Sequence, residues 1–200
     1  MLVIIIIIIV ITAVVIGYFF INVSKNETPT PEVVSDTPDT KMQTLKISSP
    51  AFEALGTIPS KYTCDGASII PPLVIDGVPE GTASLVLIMD DPDIPESVKT
   101  SRGIDVFDHW VIFNIPPDTT SVKEGLKPEG VAGQNSSGKT GYVGPCPPDK
   151  EHRYFFKVYA LDLKLNLPEG STKKEIEKAM EGHIIMSGEL VGKYNRISKI

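Results

Sequence analysis

The sequence predicts a mostly β domain carried behind one membrane-spanning helix. Three observations predict this. Apolar runs of strand length occupy residues 84–89, 109–115 and 154–161. Clusters rich in Pro, Gly, Asp and Asn punctuate the chain between them, at 71–72, 77–81, 116–118 and 128–130. Residues 1–21 are nearly unbroken Ile, Val, Leu and Phe. Buried strands read as short continuous apolar runs, and Gly/Pro clusters mark their turns.

Taken in order, residues 1–21 have the length of a bilayer-spanning helix. A cleavable leader would carry a basic start and a small-x-small cleavage site. Here Tyr18-Phe19-Phe20-Ile21 is bulky where cleavage should fall. The segment therefore reads as an uncleaved, single-pass anchor in the cell membrane. Residues 22–43 are rich in Thr, Pro, Ser, Asp and Glu, which cannot bury a core, so they read as a disordered polar linker. A stalk of this kind suggests that the domain at 44–200 faces outside the cytoplasm.

Within the domain, residues 44–47 alternate as a strand, followed by the three apolar runs. One helix is clear. Thr172 can cap it, with Glu175 completing a capping box, and Ile176, Ala179 and Met180 fall on one face before Gly182. A further short helical turn near the chain end is weakly signalled. Residues 96–108 and 116–142 read as long loops, a length often tied to function.

The net charge of −6 argues against nucleic acid as a partner, because phosphate backbones demand a basic face. Cys64 and Cys146 permit either one disulfide or two free thiols.

The polar residues worth explaining fall in four short pieces. They are Asp91-Pro92-Asp93-Ile94-Pro95, His109-Trp110, Gly144-Pro145-Cys146-Pro147-Pro148 and His152-Arg153-Tyr154. Strand alternation would turn Asp91 and Asp93 to one side, and likewise His152 and Tyr154, with Arg153 turned away. Asp90 is expected to be a solvated neighbour. Against these readings stand bland ones: Asp and Pro are ordinary turn residues, and His109 could be a half-buried histidine with one bond.

Four chemistries are open to such a set of residues. A metal site lacks a tight His-x-x-x-His or Cys-x-x-Cys spacing. A Cys146–His152 nucleophile lacks a helix N-terminus to activate it. A two-carboxylate hydrolase lacks any sign of differentiated acids. A small anionic or zwitterionic headgroup fits better: imidazoles, a phenol and loop amides donate, while Asp91 and Asp93 orient the imidazoles and favour their charged form, or receive a ligand ammonium. No cofactor is expected.

These four pieces, in this order, resemble the phosphatidylethanolamine-binding protein family. They are most similar to its bacterial and archaeal branch, the Raf kinase inhibitor-like proteins. Tyr62-Thr63-Cys64-Asp65-Gly66, Pro71-Pro72-Leu73, Gly77-Val78-Pro79-Glu80-Gly81 and the stretch 177–184 extend the likeness to 44–196. The resemblance implies a β-sandwich-like fold with short C-terminal helices. It also implies a small cavity for phosphate, acetate or phospholipid headgroups. The ligand-binding set would be Asp91, Asp93, His109, Gly144, Pro147, Pro148, His152 and Tyr154, with Pro95 and Trp110 shaping the pocket and no catalytic residue. A protein partner, regulated or inhibited through the surface around the pocket, is the alternative role; a hydrolase is the least favoured. Three departures stand out: Ile70 replaces a polar residue before Pro71, residues 96–108 are longer than usual, and the anchor is foreign to the family core and argues against inhibition of cytoplasmic kinases.

Overall fold

The computed structural model describes residues 44–196. The predicted anchor at 1–21, the linker at 22–43 and residues 197–200 lie outside the described residues. Among the described residues, no helix is long and apolar enough to cross a membrane.

The strands are β1 (Lys46–Ser48), β2 (Leu73–Asp76), β3 (Ser84–Asp91), β4 (Phe107–Ile115), β5 (Ser121–Val122), β6 (Val131–Ala132), β7 (His152–Leu161) and β8 (Ile184–Tyr194). The α-helices are α1 (Glu96–Arg102) and α2 (Lys173–Met180). A 3-10 turn spans Ser60–Tyr62. Every strand pairing is antiparallel, in two sheets ordered β1-β2-β5 and β6-β4-β3-β7-β8.

The two sheets pack face to face. Ile47, Leu73, Ile75 and Val122 of the small sheet share one core with Leu85, Leu87, Met89, Ile112, Phe156 and Val158 of the large one. The opposite face of the large sheet builds a second core, in which Ile176 and Met180 of α2 lie against Val86, Ile88, Val111 and Phe113. This explains the unbroken apolar run in β3. Lying mid-sheet with both faces covered, every one of its residues is buried, and each apolar side chain so buried contributes roughly 1.5–3 kcal/mol.

The predicted helix forms at α2. Thr172 Oγ1 accepts from the Glu175 amide, and the Glu175 carboxylate accepts in return from the Thr172 amide at 2.8 Å. Two readings need correction. The loop expected at 96–108 contains α1, whose signals were the left-handed Gly103 at its end and the basic Lys99 and Arg102 in its last turn. Among the described residues, the chain end holds no helical turn but the eleven-residue β8, paired along β7. Its small and polar residues, Ser187, Gly188 and Glu189, hid the strand. Gly188 is required there, because a Cβ would sit 2.3 Å from the Leu45 carbonyl oxygen.

Two β-bulges distort β4. Leu85 and Leu87 pair with Ile115 and Ile112, so β4 holds an extra residue. Asn114 takes a left-handed conformation there (φ 55°), and its amide holds the Leu165 backbone in both directions. Met89 and Asp90 pair with Trp110 and Asp108, which leaves His109 as the second extra residue. A bulge re-aims side chains locally. The second bulge positions the site described next.

Candidate functional site

One end of the large sheet opens into a cavity of about 200 Å³. It sits where β3 ends, β4 begins and β7 begins, roofed by α1 and by the loop at 143–148. Of the residues singled out in the sequence, Asp91, Pro95, His109, Gly144, Pro148 and His152 line it. Ile94, Val98, Arg102, Phe107 and Val143 line it too; Ile94 lay inside a quoted motif without being assigned to the pocket, and for Val98 and Arg102 the signal was the helix end at 99–103.

Asp91 points inward as the last residue of β3 and is 3 % exposed. Both its oxygens are engaged. Oδ1 accepts from the Asp93 amide at 2.8 Å and Oδ2 lies 2.7 Å from His152 Nδ1. Burial pushes its pKa up, against the opposing pull of His152. His152 is fully buried, and its Nε2 lies 2.9 Å from Asp149 Oδ1. A carboxylate–imidazole–carboxylate row thus runs from the half-exposed Asp149 to the buried Asp91.

His109 behaves differently. Its Nδ1 lies 2.7 Å from the Val143 carbonyl, which can only accept, so Nδ1 carries the proton. Burial lowers its pKa to about 4. The ring is therefore neutral at pH 7, and Nε2 is an acceptor. This corrects the expectation of a charged, donating imidazole at this position: desolvation outweighs the Val143 hydrogen bond and the Asp90 carboxylate.

Four sequence-predicted residues stand outside the lining. Strand alternation stops at Asp91, so Asp93 turns outward and is clamped by Arg153 at 2.8 and 2.7 Å, which lowers its pKa to about 2. Trp110 is buried in the inter-sheet core, edge-on to Tyr142. Tyr154 is also fully buried. It lies beneath the cavity between the two histidines, with ring centroids 5.2 Å from His109 and 6.4 Å from His152. Burial raises its pKa, and the Cys146 amide faces its oxygen, but the hydroxyl has no well-formed hydrogen bond among the described residues. Pro147 is buried yet does not reach the cavity.

The loop wall is rigid and poor in donors. Cys146 lines the cavity and is disulfide-bonded to Cys64, 82 residues away. Closing a loop of that length stabilises the fold by about 4 kcal/mol. Gly144 is needed for backbone contact, though with the protein rather than with a ligand. A Cβ there would meet the Tyr62 carbonyl at 2.8 Å and Thr63 Cα at 2.9 Å. Its amide donates to Ser68 Oγ. Ile70 packs on the core away from this cavity. Among the described residues, no group of three His, Cys, Asp or Glu side chains could hold a metal.

Comparison with known proteins agrees with this architecture. Residues 48–195 match the family model described as phosphatidylethanolamine-binding protein. A UPF0098 protein of Methanothermobacter thermautotrophicus is 50 % identical over 158 residues, 76 % of this chain and 99 % of the relative. One from Chlamydia trachomatis is 43 % identical over 152 residues, again 76 % and 99 %. The crystal structure of a putative phosphatidylethanolamine-binding protein homologue from Chlamydia trachomatis superposes with a TM-score of 0.73 at 42 % identity, covering 78 % of this chain and 99 % of that one. Escherichia coli YbcL superposes with a TM-score of 0.67 at 27 % identity, covering 76 % and 99 %. With the matched family model spanning nearly the whole sandwich and the cavity at its end, the chain belongs to the phosphatidylethanolamine-binding protein family.

Proposed function

We propose that this chain is a membrane-tethered binding protein whose cavity takes a small anionic or zwitterionic headgroup of the kind carried by phospholipids. The observation that carries the reading is the cavity itself. A row of buried polar groups, Asp91, His152 and His109, lies open at one end of an otherwise apolar sandwich. Burying such groups is costly, and a polar ligand offsets part of that cost. The family description supports the ligand class. The Cys64–Cys146 disulfide supports an extracytoplasmic domain, since such bonds persist in oxidising compartments. Residues 1–21 supply the anchor.

The reading is tested by calorimetry on the full chain in maltoside detergent, with phosphoethanolamine as the probe. Saturable binding is expected, weakened at least tenfold by His152→Ala. No heat between pH 5 and 8 sinks it. A second reading, regulation of a protein partner, draws on α1, which projects over the cavity mouth without a buried residue of its own. A hydrolase reading has less support, because Cys146 carries no free thiol.

A further inference from the structure

β8 is the outer strand of the large sheet, and its outer edge is covered over only part of its length. Towards its C-terminal end the segment 55–58 seals that edge. The Leu55 amide donates to the Val191 carbonyl at 2.7 Å and the Ile58 amide to the Lys193 carbonyl at 2.8 Å; Lys193 gives its own amide to the Gly56 carbonyl at 2.8 Å. Backbone groups alternate sides along a strand, and β8 runs beside β7 without a register shift from Tyr194 to Met186. The amides and carbonyls of Ser187 and Glu189 therefore point the same way as those of Val191 and Lys193. Among the described residues, none of the four takes a backbone partner on that side.

An open edge is commonly blunted by lysine or proline. Residues 184–189 hold neither. The open stretch is flanked instead by apolar side chains in water. Ile184 and Ile185 are 46 % and 39 % exposed at one end, and Leu55 is 61 % exposed at the other, where its amide meets Val191. These are three of the four large apolar side chains that stand exposed among the described residues. Leu55 is also held in the left-handed region, at φ 62°, which a leucine adopts only at a cost. Between these ends, Ser187 and Glu189 border a groove of about 290 Å³ with Lys157 and Tyr159. Lys157, the residue paired across from Glu189, is committed to Asp90, and the Glu189 carboxylate has no ion-pair partner among the described residues.

We infer that this edge is a self-association site, at which a second copy of the chain pairs β8 to β8, antiparallel, about a twofold axis at Gly188. That register sets Ser187 against Glu189 of the second copy and Glu189 against its Ser187. Each pair exchanges both backbone hydrogen bonds, and the serine hydroxyl donates to the carboxylate facing it. Gly188 brings no side chain to the axis. The neighbouring registers are worse: an axis at Glu189 opposes two carboxylates, and an axis at Ser187 sets Ile185 against Glu189. The pairing also ends where it must. Ile185 comes level with Val191 of the second copy, whose carbonyl Leu55 already holds, and Ile185 is the extra residue of a bulge that diverts the strand at that point. Ile184 and Ile185 then pack on Leu55 of the second copy, so the patches at the two ends cover one another, twice by symmetry. The contact is short and the association correspondingly weak. The cavity begins at His152, at the other end of β7, so pairing and ligand binding are separately testable.

The test is sedimentation equilibrium of the full chain in maltoside, which is expected to show a reversible monomer–dimer equilibrium. Ser187→Pro removes an outward amide without touching the β7 ladder, and should weaken the dimer at least tenfold. Leu55→Asn separates association from folding. Asparagine tolerates the left-handed conformation, so the thermal melt should hold or rise while the dimer weakens severalfold. Hydrogen exchange supplies the location: the Ser187 and Glu189 amides should gain protection as the dimer forms, and the Leu190 amide, which faces β7, should not. If Ser187→Pro lowers the melt, Leu55→Asn and the exchange at Ser187 decide. A chain that stays monomeric at every concentration overturns the proposal. So does a dimer that Leu55→Asn leaves intact and that gives Ser187 and Glu189 no protection, because its contact then lies elsewhere.

Discussion

Asp90 and Asp91 are neighbours on β3, are 2 % and 3 % exposed, and point to opposite faces of the sheet. Asp90 faces α2, where Lys157 and Lys173 each approach its Oδ2 at 2.9 Å and Lys173 also reaches Asp108 at 3.0 Å. Asp91 faces the cavity and meets His152. The expectation of a solvated Asp90 is therefore corrected: it is the anchor of a buried charge cluster. The two partners explain the different roles. Lys173 ties α2 to the sheet through Asp90 and Asp108. Asp91 pairs with an imidazole and borders a space that a ligand can enter. Burial of a carboxylate does not by itself mark a binding residue; the partner and the adjacent space do.

The comparison can be broken most severely at Lys173. Lys173→Met leaves Asp90 and Asp108 undercompensated, and urea denaturation is expected to show a loss of about 4 kcal/mol. Headgroup binding by the surviving folded fraction should be unchanged, because the cluster lies on the other face. A binding defect as large as the stability defect would show that the two faces are coupled.

Next comes acid stability through His109. Its folded pKa, about 4, lies below its unfolded value near 6.5. The neutral ring's contribution is therefore complete above pH 6.5 and is lost as pH falls through 4. Converting about 2.5 units at 1.36 kcal/mol each gives about 3 kcal/mol. His109→Gln should flatten the stability profile between pH 7 and 4 by that amount, read from urea midpoints. An unaltered slope would show that the ring is not held neutral.

A smaller effect is expected at Asp93. Its folded pKa is depressed by Arg153, so its contribution is present above pH 4 and fades as pH approaches 2. Both partners are partly exposed, with Arg153 about half in water, so Arg153→Ala should cost no more than about 1 kcal/mol at pH 7. The smallest effect belongs to Asp149, which is half exposed. Asp149→Ala should leave the thermal melt unmoved while shifting the His152 Nε2 resonance in a nitrogen NMR spectrum. An unmoved resonance would show that the row from Asp149 to Asp91 is not continuous in solution.

Much of this was legible in the sequence. The three long strands announced themselves because runs of Val, Ile, Leu and Phe have few other destinations, and α2 carried its own capping box. The residues that meet at the cavity were legible too, through motifs sitting at the ends of those runs. What the sequence hid depends on where strands stop. Alternation linked Asp93 to Asp91 and Tyr154 to His152, but β3 ends at Asp91 and frees Asp93 to turn outward. Tyr154 does share a side with His152, yet one pair further along β7 it is already under the floor. Nor could the pattern show that backbone carbonyls would claim donors, as Val143 does with His109.

The bulge at His109 has a consequence for how this site could be lost. Trp110 and Asp108 stay in register with Met89 and Asp90 only because one residue is left over between them. Deleting a single codon there would restore a regular ladder, gain backbone pairing and keep every core side chain in place. It would also remove the acceptor that faces the ligand. In a lineage relieved of the need to bind, drift should therefore erase the site by shortening the strand, and the length of the segment between Phe107 and Trp110 becomes a more telling record of retained binding than the identity of any residue in it.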